Sequence, residues 1–226
     1  MAKPLSGVVL AGGASRRLGV DKAGIIFGGR PLLEIVVERL ARVCDDVMVA
    51  RDLRTADEWT GLGARFVIDR VAGRGPLAGL EAGLRAAAHD FVFVVACDMP
   101  FLSPGLLRHM AELPRCYEAL VPRLGGRCQM THAIYTRSCL SAVESLLAQR
   151  GSGLIDLLPS VAETELSEEQ LRRYDPGGLS FFNLNSPQDL ILARAIWERR
   201  EQQASDRLGG CEWAGAQHSP DEDGPG

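Results

Sequence analysis

The chain has 226 residues, a hydrophobic fraction of 46% and a formal net charge of −4. That length favours one domain, able to bury most of its apolar surface without staples, and the acidic balance argues against a general nucleic-acid binder, which needs clustered Lys and Arg. No apolar run approaches the ~20 residues of a membrane helix and no apolar stretch follows a basic start, so a cytoplasmic protein with no membrane or nucleic-acid partner is expected.

Taken in chain order, Leu5 to Leu10 reads as a first strand. Pro31 suits the first position of a helix whose buried face is Leu33, Val36, Val37 and Leu40. Val47-Met48-Val49 is a second short strand, and Arg65 to Ile68 a third. Pro76 opens a helix predicted to reach about His89. Phe91–Val95 is apolar at five successive positions, as a central strand covered on both faces must be. Ser103-Pro104 reads as an N-cap and first-turn proline of a helix to about Leu113. Ala119 to Val121 is a further strand, and residues 138–149 are helical by period until Gly151 and Gly153 break them. Ser186-Pro187-Gln188-Asp189 starts a last helix through Leu190, Ala193 and Trp197.

Strands alternating with helices predict an α/β fold, a three-layer sandwich around a mostly parallel, Rossmann-like sheet, over residues 1–202. No internal repeat is visible. Residues 203–226 are rich in Gly, Asp, Glu, Ser and Pro without a periodic apolar face, and read as a disordered acidic tail in which Trp213 alone could dock. The six cysteines, Cys44, Cys97, Cys116, Cys128, Cys139 and Cys211, include no Cys-x-x-Cys pair, so free thiols are expected rather than a zinc or redox centre.

Residues 10–22, LAGGASRRLGVDK, carry the strongest chemical signal. Glycines directly after a strand let backbone N–H groups approach a phosphate, because no Cβ intervenes. Arg16, Arg17 and Lys22 add positive charge to the same stretch. It is neither a Walker A loop nor a Gly-x-Gly-x-x-Gly dinucleotide fingerprint. The plain alternative is a basic surface loop. In open α/β sheets ligands bind beyond the carboxyl ends of the strands. The glycine loop follows the first strand, Asp69 the third and Asp98 the Phe91–Val95 run, so all three fall at one sheet edge. A carboxylate there suits Mg²⁺ beside a triphosphate. Asp98 is not needed as a cap, since Ser103 can serve the next helix. For Asp69 the competing reading is a polar loop start.

The segment resembles the signature of nucleotidyltransferases, most closely the molybdenum cofactor guanylyltransferase (MobA) family. Gly75-Pro76-Leu77-Ala78-Gly79-Leu80, Cys97-Asp98-Met99-Pro100 and Asn183-Leu184-Asn185-Ser186-Pro187 resemble the same family in the same order. The resemblance covers most of residues 5–200. It implies a nucleotide-diphospho-sugar-transferase-like fold and transfer of GMP from GTP to molybdopterin, with release of pyrophosphate and with Mg²⁺ as cofactor. Molybdoenzymes or their chaperones would then take the product. It implies that Asp98 binds the metal, that Asp69 contacts the nucleotide, and that Leu10, Ala11, Gly12 and Gly13 cradle it. Lys22 would meet the phosphates with one of the two arginines, the pattern favouring Arg17. Gly12-Gly13 and Asp98-Met99-Pro100 look like the guanine side of the superfamily, where related cytidylyltransferases tend to carry Ala-Gly and Asp-Gln-Pro.

Gly75, Pro76 and Leu77 are possible substrate contacts, read equally well as a loop opening a helix. Asn183 and Asn185 would face opposite ways in a strand, with one toward the substrate; the alternative is a turn with Asn185 or Ser186 as cap. His132 is read as structural. The functional alternatives are a cytidylyltransferase or other nucleotidyltransferase with a different acceptor, and a non-catalytic nucleotide-binding regulatory module.

Overall fold

The computed structural model describes residues 4–12, 21–51, 59, 61–71 and 73–209, the last six of these as backbone only. Ten strands and six α-helices alternate through them: β1 (Ser6–Leu10), β2 (Ile26–Phe27), β3 (Arg30–Pro31), α1 (Leu32–Leu40), β4 (Asp46–Arg51), β5 (Arg65–Ile68), α2 (Pro76–Ala86), β6 (Phe91–Ala96), α3 (Pro104–Glu112), β7 (Ala119–Leu124), β8 (Arg127–Cys128), β9 (His132–Thr136), α4 (Leu140–Ala148), β10 (Glu163–Leu166), α5 (Glu168–Tyr174) and α6 (Pro187–Gly209).

The main sheet runs β10-β7-β9-β6-β1-β4-β5, with β8 paired to β7. β5, β4, β1 and β6 are mutually parallel, while β9 is antiparallel to both β6 and β7. β10 is parallel to β7, so β7 and β10 run in the same direction as β6, and on the main path only β9 opposes the others: the sheet is mostly parallel. Side chains alternate between its two faces, as the pleat requires. Val9, Phe93 and Val95 enter one core with α1, α3, α5 and α6; Val8, Leu10, Val92 and Val94 enter the other with α2 and α4. This is the three-layer sandwich expected.

The helix starts follow the prolines and caps. Pro76 and Pro104 occupy first-turn positions, and the Ser103 hydroxyl accepts from the Leu106 amide at 3.3 Å. Ser186 and Asp189 cap α6 reciprocally: the Asp189 amide donates to the Ser186 hydroxyl at 3.2 Å, and the Ser186 amide to Asp189 Oδ2 at 2.8 Å. Pro31 departs from expectation: it closes a two-stranded hairpin with β2 and stands at the N-cap of α1, one residue before its first turn. α2 ends at Ala86, three residues short of His89. β9, β10, α5 and a 3₁₀ stretch Leu154–Ser160 were not foreseen. α6 continues to Gly209, past the boundary read at 202; the rest of the tail, with Cys211 and Trp213, lies outside the described residues.

Register aligns the strand ends. Leu10 stands between Ala50 and Ala96, and Arg51 beside Ile68. Chain leaving β1, β5 and β6 therefore emerges along one edge. At the opposite edge Asp46 Oδ2 accepts from the Ser6 hydroxyl at 2.7 Å and the Ala88 amide at 3.0 Å, and Oδ1 from Arg65 at 2.9 Å. Burial pushes that carboxyl up, but the hydrogen bonds from Arg65, Ala88 and Ser6 outweigh it and hold it at about 2.

Candidate active site

The carboxyl edge gathers groups from four distant parts of the chain. Asp98 lies two residues beyond β6. Its main-chain carbonyl accepts from the Leu184 amide at 3.0 Å, which ties the strand exit to the Asn183–Asn185 segment. Its Oδ2 takes a hydrogen bond from Lys22 Nζ at 2.6 Å, and the two side chains are 14% and 18% exposed. Its Oδ1 is buried and has no hydrogen-bond partner among the described residues. A buried carboxylate oxygen in that state is costly unless something fills it. One cation-facing oxygen is what Mg²⁺ asks of a protein when phosphates and water supply its other ligands. The donor set fits that metal; no cluster of three or more His, Cys, Asp or Glu is present among the described residues to suggest a dedicated protein cage.

Lys22 opens a 3₁₀ turn, Lys22–Gly24, for which Asp21 is the N-cap, accepting from the Ala23 amide at 3.1 Å. The Lys22 ammonium also donates to Asn185 Oδ1 at 3.1 Å. Asn183 turns inward to its own turn, donating to the Phe181 carbonyl at 3.0 Å. The segment is a turn into α6 and not a strand, so only Asn185 of the pair reaches Lys22. Asp189 holds the Asn185 amide at 2.9 Å. The Ser186 hydroxyl, the Asn185 and Ser186 amides and the Lys22 charge keep the Asp189 carboxyl below the usual range, against a smaller opposing effect of burial.

Asp69 follows β5, its amide donating to the Arg51 carbonyl at 3.0 Å. Its carboxylate lies against two glycines. A Cβ on Gly12 would come within 2.9 Å of Asp69 Oδ2, and one on Gly79 within 2.8 Å of Leu10 Cδ2 and 3.8 Å of Asp69 Oδ1. Gly12 is thus required by the close approach of an acid. Leu10 and Ala11 are spent on the sheet: the Leu10 carbonyl accepts from Cys97 at 3.1 Å, and the Ala11 amide donates to Ala50 at 2.9 Å. Leu77 is buried in the α2 core, so its side chain faces away from solvent; Pro76 stands at the first turn of α2 behind Gly75, whose φ of 54° lies in the left-handed region. Gly13, Arg16 and Arg17 fall outside the described residues.

Three groups gained no role from the sequence: Asp21, Asp189 and Arg51. Arg51 ends β4, is 2% exposed and donates from Nη2 to Asp21 Oδ2 at 2.5 Å. Two buried groups near the site take no part in the chemistry. Burial, with the Asp98 charge beside it, pushes the Cys97 thiol up to about 12, which leaves no thiolate for chemistry. His132 is fully buried between Phe93 and Phe181, and burial pulls it down to about 4 although the Ser180 backbone acts the other way. It is a core residue, as read. The five described cysteines are free, and no helix among the described residues is long and apolar enough to cross a membrane.

Comparison with known proteins converges on the same chemistry. Residues 7–164 match the family model for the MobA-like NTP transferase domain. A probable molybdenum cofactor guanylyltransferase from Pelotomaculum thermopropionicum is 39% identical over 193 residues, covering 85% of this chain and 93% of that protein. The crystal structure of molybdopterin-guanine dinucleotide biosynthesis protein A from Archaeoglobus fulgidus superposes with a TM-score of 0.76 at 28% identity, over 86% of this chain and 99% of that one. The 2-C-methyl-D-erythritol 4-phosphate cytidylyltransferase of Thermus thermophilus gives a TM-score of 0.62 at 25% identity, over 86% and 98%. The fold is that of these nucleotidyltransferases.

Proposed function

The chain belongs to the MobA-like NTP transferase family, and from that premise we propose that it transfers GMP from GTP to molybdopterin, forming the guanine dinucleotide form of the molybdenum cofactor. The observation that carries the reading is the meeting of Lys22, Asp98 and Asn185 at the carboxyl edge of the sheet, in a chain 39% identical to a relative named for this transfer. The similarity to the guanylyltransferase relative over nearly its whole length favours guanine over the cytidylyltransferase alternative.

In the reaction a terminal phosphate oxygen of molybdopterin bonds to the α-phosphorus of GTP as the bond from that phosphorus to the bridging oxygen breaks, and pyrophosphate leaves with the electron pair. A phosphate nucleophile is already ionised at neutral pH, so the protein supplies no general base. Positioning and charge neutralisation do the work. Lys22 faces the phosphates, with Arg17 from the same loop supporting the departing pyrophosphate. Asp98 holds Lys22 through Oδ2, and its Oδ1 would hold the metal. Asp69 and the main chain from Gly12 onward bind the nucleoside side, with Leu10 and Ala11 anchoring that loop to the sheet, and Asn185 orients Lys22. The Gly75–Leu77 turn and α2 border the acceptor. Mg²⁺, when bound at Asp98, supplies positive charge to the triphosphate. Deleting residues 203–226 is expected to leave turnover unchanged. The free cysteines support a reducing, cytoplasmic setting, from which molybdoenzymes or their chaperones would collect the product.

The test is calorimetric binding of GTP, CTP and ATP with and without Mg²⁺, followed by detection of the dinucleotide product with molybdopterin as acceptor. Mg²⁺-supported preference for GTP, and product formation, are expected. Preference for CTP would move the chain to a sister activity, and binding without turnover would make it a regulatory module.

A further inference from the structure

Arginine cannot lose its proton in a protein, so a guanidinium that is 2% exposed must be met by fixed acceptors. Arg51 is such a residue, and it sits at the carboxyl end of β4, a strand paired on both sides. Three of its contacts bear on the site. Its main-chain carbonyl accepts from the Asp69 amide at 3.0 Å. Its Nη2 donates to Asp21 Oδ2 at 2.5 Å. Its guanidinium carbon lies 5.9 Å from the centre of the Trp59 ring. Asp21, 42% exposed, uses its other oxygen to cap the turn that begins with Lys22. The residue next along the chain from the anchored carboxylate is thus the lysine whose ammonium lies 2.6 Å from Asp98.

Resting on the reading of Lys22 as the phosphate-facing lysine, we propose that Arg51 is a positioning residue: its buried guanidinium fixes Asp21, and through the turn that Asp21 caps it sets the position of the Lys22 ammonium. The physical reason is rigidity. Lys22 stands on a three-residue 3₁₀ turn outside the main sheet; buried Ala23 seats that turn in the core, but the long Lys22 side chain still needs the turn's entry fixed to hold its ammonium in place. The ion pair transfers the stiffness of the central sheet to that turn. The short bond to a guanidinium that water cannot reach restrains Asp21, because moving that carboxylate away removes charge compensation that solvent cannot replace. The same residue holds Asp69 by its backbone, so two of the site's groups are referred to one point of the sheet.

The experiment is a double-mutant cycle on the full chain, with kcat, KM for GTP and Tm measured for Arg51→Met, Lys22→Ala and the pair. With Lys22 present, Arg51→Met is expected to lower kcat by about 10- to 100-fold, the effect of misplacing a catalytic group by about an ångström. In the Lys22→Ala background the same substitution should change the residual kcat less than about twofold, because its target is gone. Arg51→Lys should recover part of the loss by restoring the charge. Equal losses in both backgrounds would overturn the proposal, since a merely structural arginine acts whether or not Lys22 is there; so would no loss with Lys22 present. If Arg51→Met does not fold, Asp21→Asn replaces it in the cycle, keeping a capping oxygen while removing the charge that Arg51 holds, and the same two outcomes decide. Wild-type turnover in Lys22→Ala would overturn the reading of Lys22 itself, whatever Arg51 does.

Discussion

Lys22 and Asp98 lie 76 positions apart in the chain, yet the lysine ammonium and the aspartate Oδ2 are 2.6 Å apart. The pair closes the gap between the first loop and the exit of the central strand β6, and it leaves Asp98 Oδ1 buried without a partner among the described residues. Replacing Lys22 by Ala, or Asp98 by Asn, is expected to lower kcat by about 10²–10³-fold, the scale set by losing one preorganised charge-stabilising group. Pyrophosphate release with GTP and acceptor measures it. Asp98→Asn should in addition raise the Mg²⁺ concentration needed for half-maximal rate, and Lys22→Ala should not. A Mg²⁺ requirement untouched by Asp98→Asn would remove the metal assignment.

The two asparagines of the Asn183–Asn185 turn have separate duties and should separate in the laboratory. Asn185→Ala removes the acceptor 3.1 Å from Lys22 Nζ and should cost about 10- to 150-fold in kcat/KM, one hydrogen bond to a charged group being worth about 1.5–3 kcal/mol. Asn183→Ala removes a bond to the Phe181 carbonyl and should lower stability by about 1 kcal/mol with little change in rate. Denaturant titration beside steady-state kinetics distinguishes them; equal kinetic losses would contradict the geometry.

Two glycines make a matched comparison. A methyl on Gly12 meets Asp69 Oδ2 at 2.9 Å, whereas one on Gly83 meets Val8 Cγ2 at 2.5 Å inside the α2 core. Gly12→Ala should push the Asp69 carboxylate aside and weaken GTP binding on the order of tenfold, with a small change in Tm. Gly83→Ala should cost about 1–3 kcal/mol of stability as overpacking, leaving nucleotide affinity unchanged. Calorimetry and thermal melts on the two variants read both quantities.

His132 sets an acid limit. Its ring is neutral in the folded protein down to about 4, because burial disfavours the charged form; in the unfolded chain it takes up a proton near 6.5. The unfolded state therefore binds more protons between these values, and stability falls as pH drops through that window, by about 3 kcal/mol at most. His109, also pulled down by burial, adds a smaller effect of the same sign. Asp46 acts lower: its carboxyl, held at about 2, contributes stability above the usual carboxylate range that is lost as pH falls toward that value. Urea unfolding at pH 7, 6 and 5 should show the decline, and His132→Leu should flatten most of it. An equal decline in His132→Leu would show that other groups carry it.

The parts of this fold that announce themselves in the sequence are those where one physical demand dominates. β6 reads as a central strand because Phe91–Val95 must be apolar on both faces, and α2, α3 and α6 declare their starts by Pro76, Pro104 and Pro187. β9 is equally buried, but its antiparallel direction between β6 and β7 is a long-range fact, and a run such as His132–Thr136 carries no sign of it. β10 is short and exposed at three of its four positions, so no hydrophobic alternation marks it. At the site, Asp69, Asp98 and Lys22 were legible because glycines and strand ends surround them. Arg51 was not, since an arginine closing an apolar strand looks like a solvent-exposed terminus. Only the three-dimensional meeting with Asp21 reveals it as buried. Asn183 and Asn185 could not be told apart until their separate partners, the Phe181 carbonyl and the Lys22 ammonium, were seen.

The last helix has a consequence for the newborn chain. Near its start, Asn185 reaches Lys22, and farther along Trp197 stacks edge-on with Phe27 at 4.9 Å and lies so close to Gly28 that a Cβ there would sit 2.5 Å from its ring. Every strand of the sheet ends by Leu166. A ribosome that has released residues up to about that point has delivered a complete sheet with its first loop still unclasped. The site is therefore assembled only once the helix that follows the sheet has emerged and met the segment after the first strand.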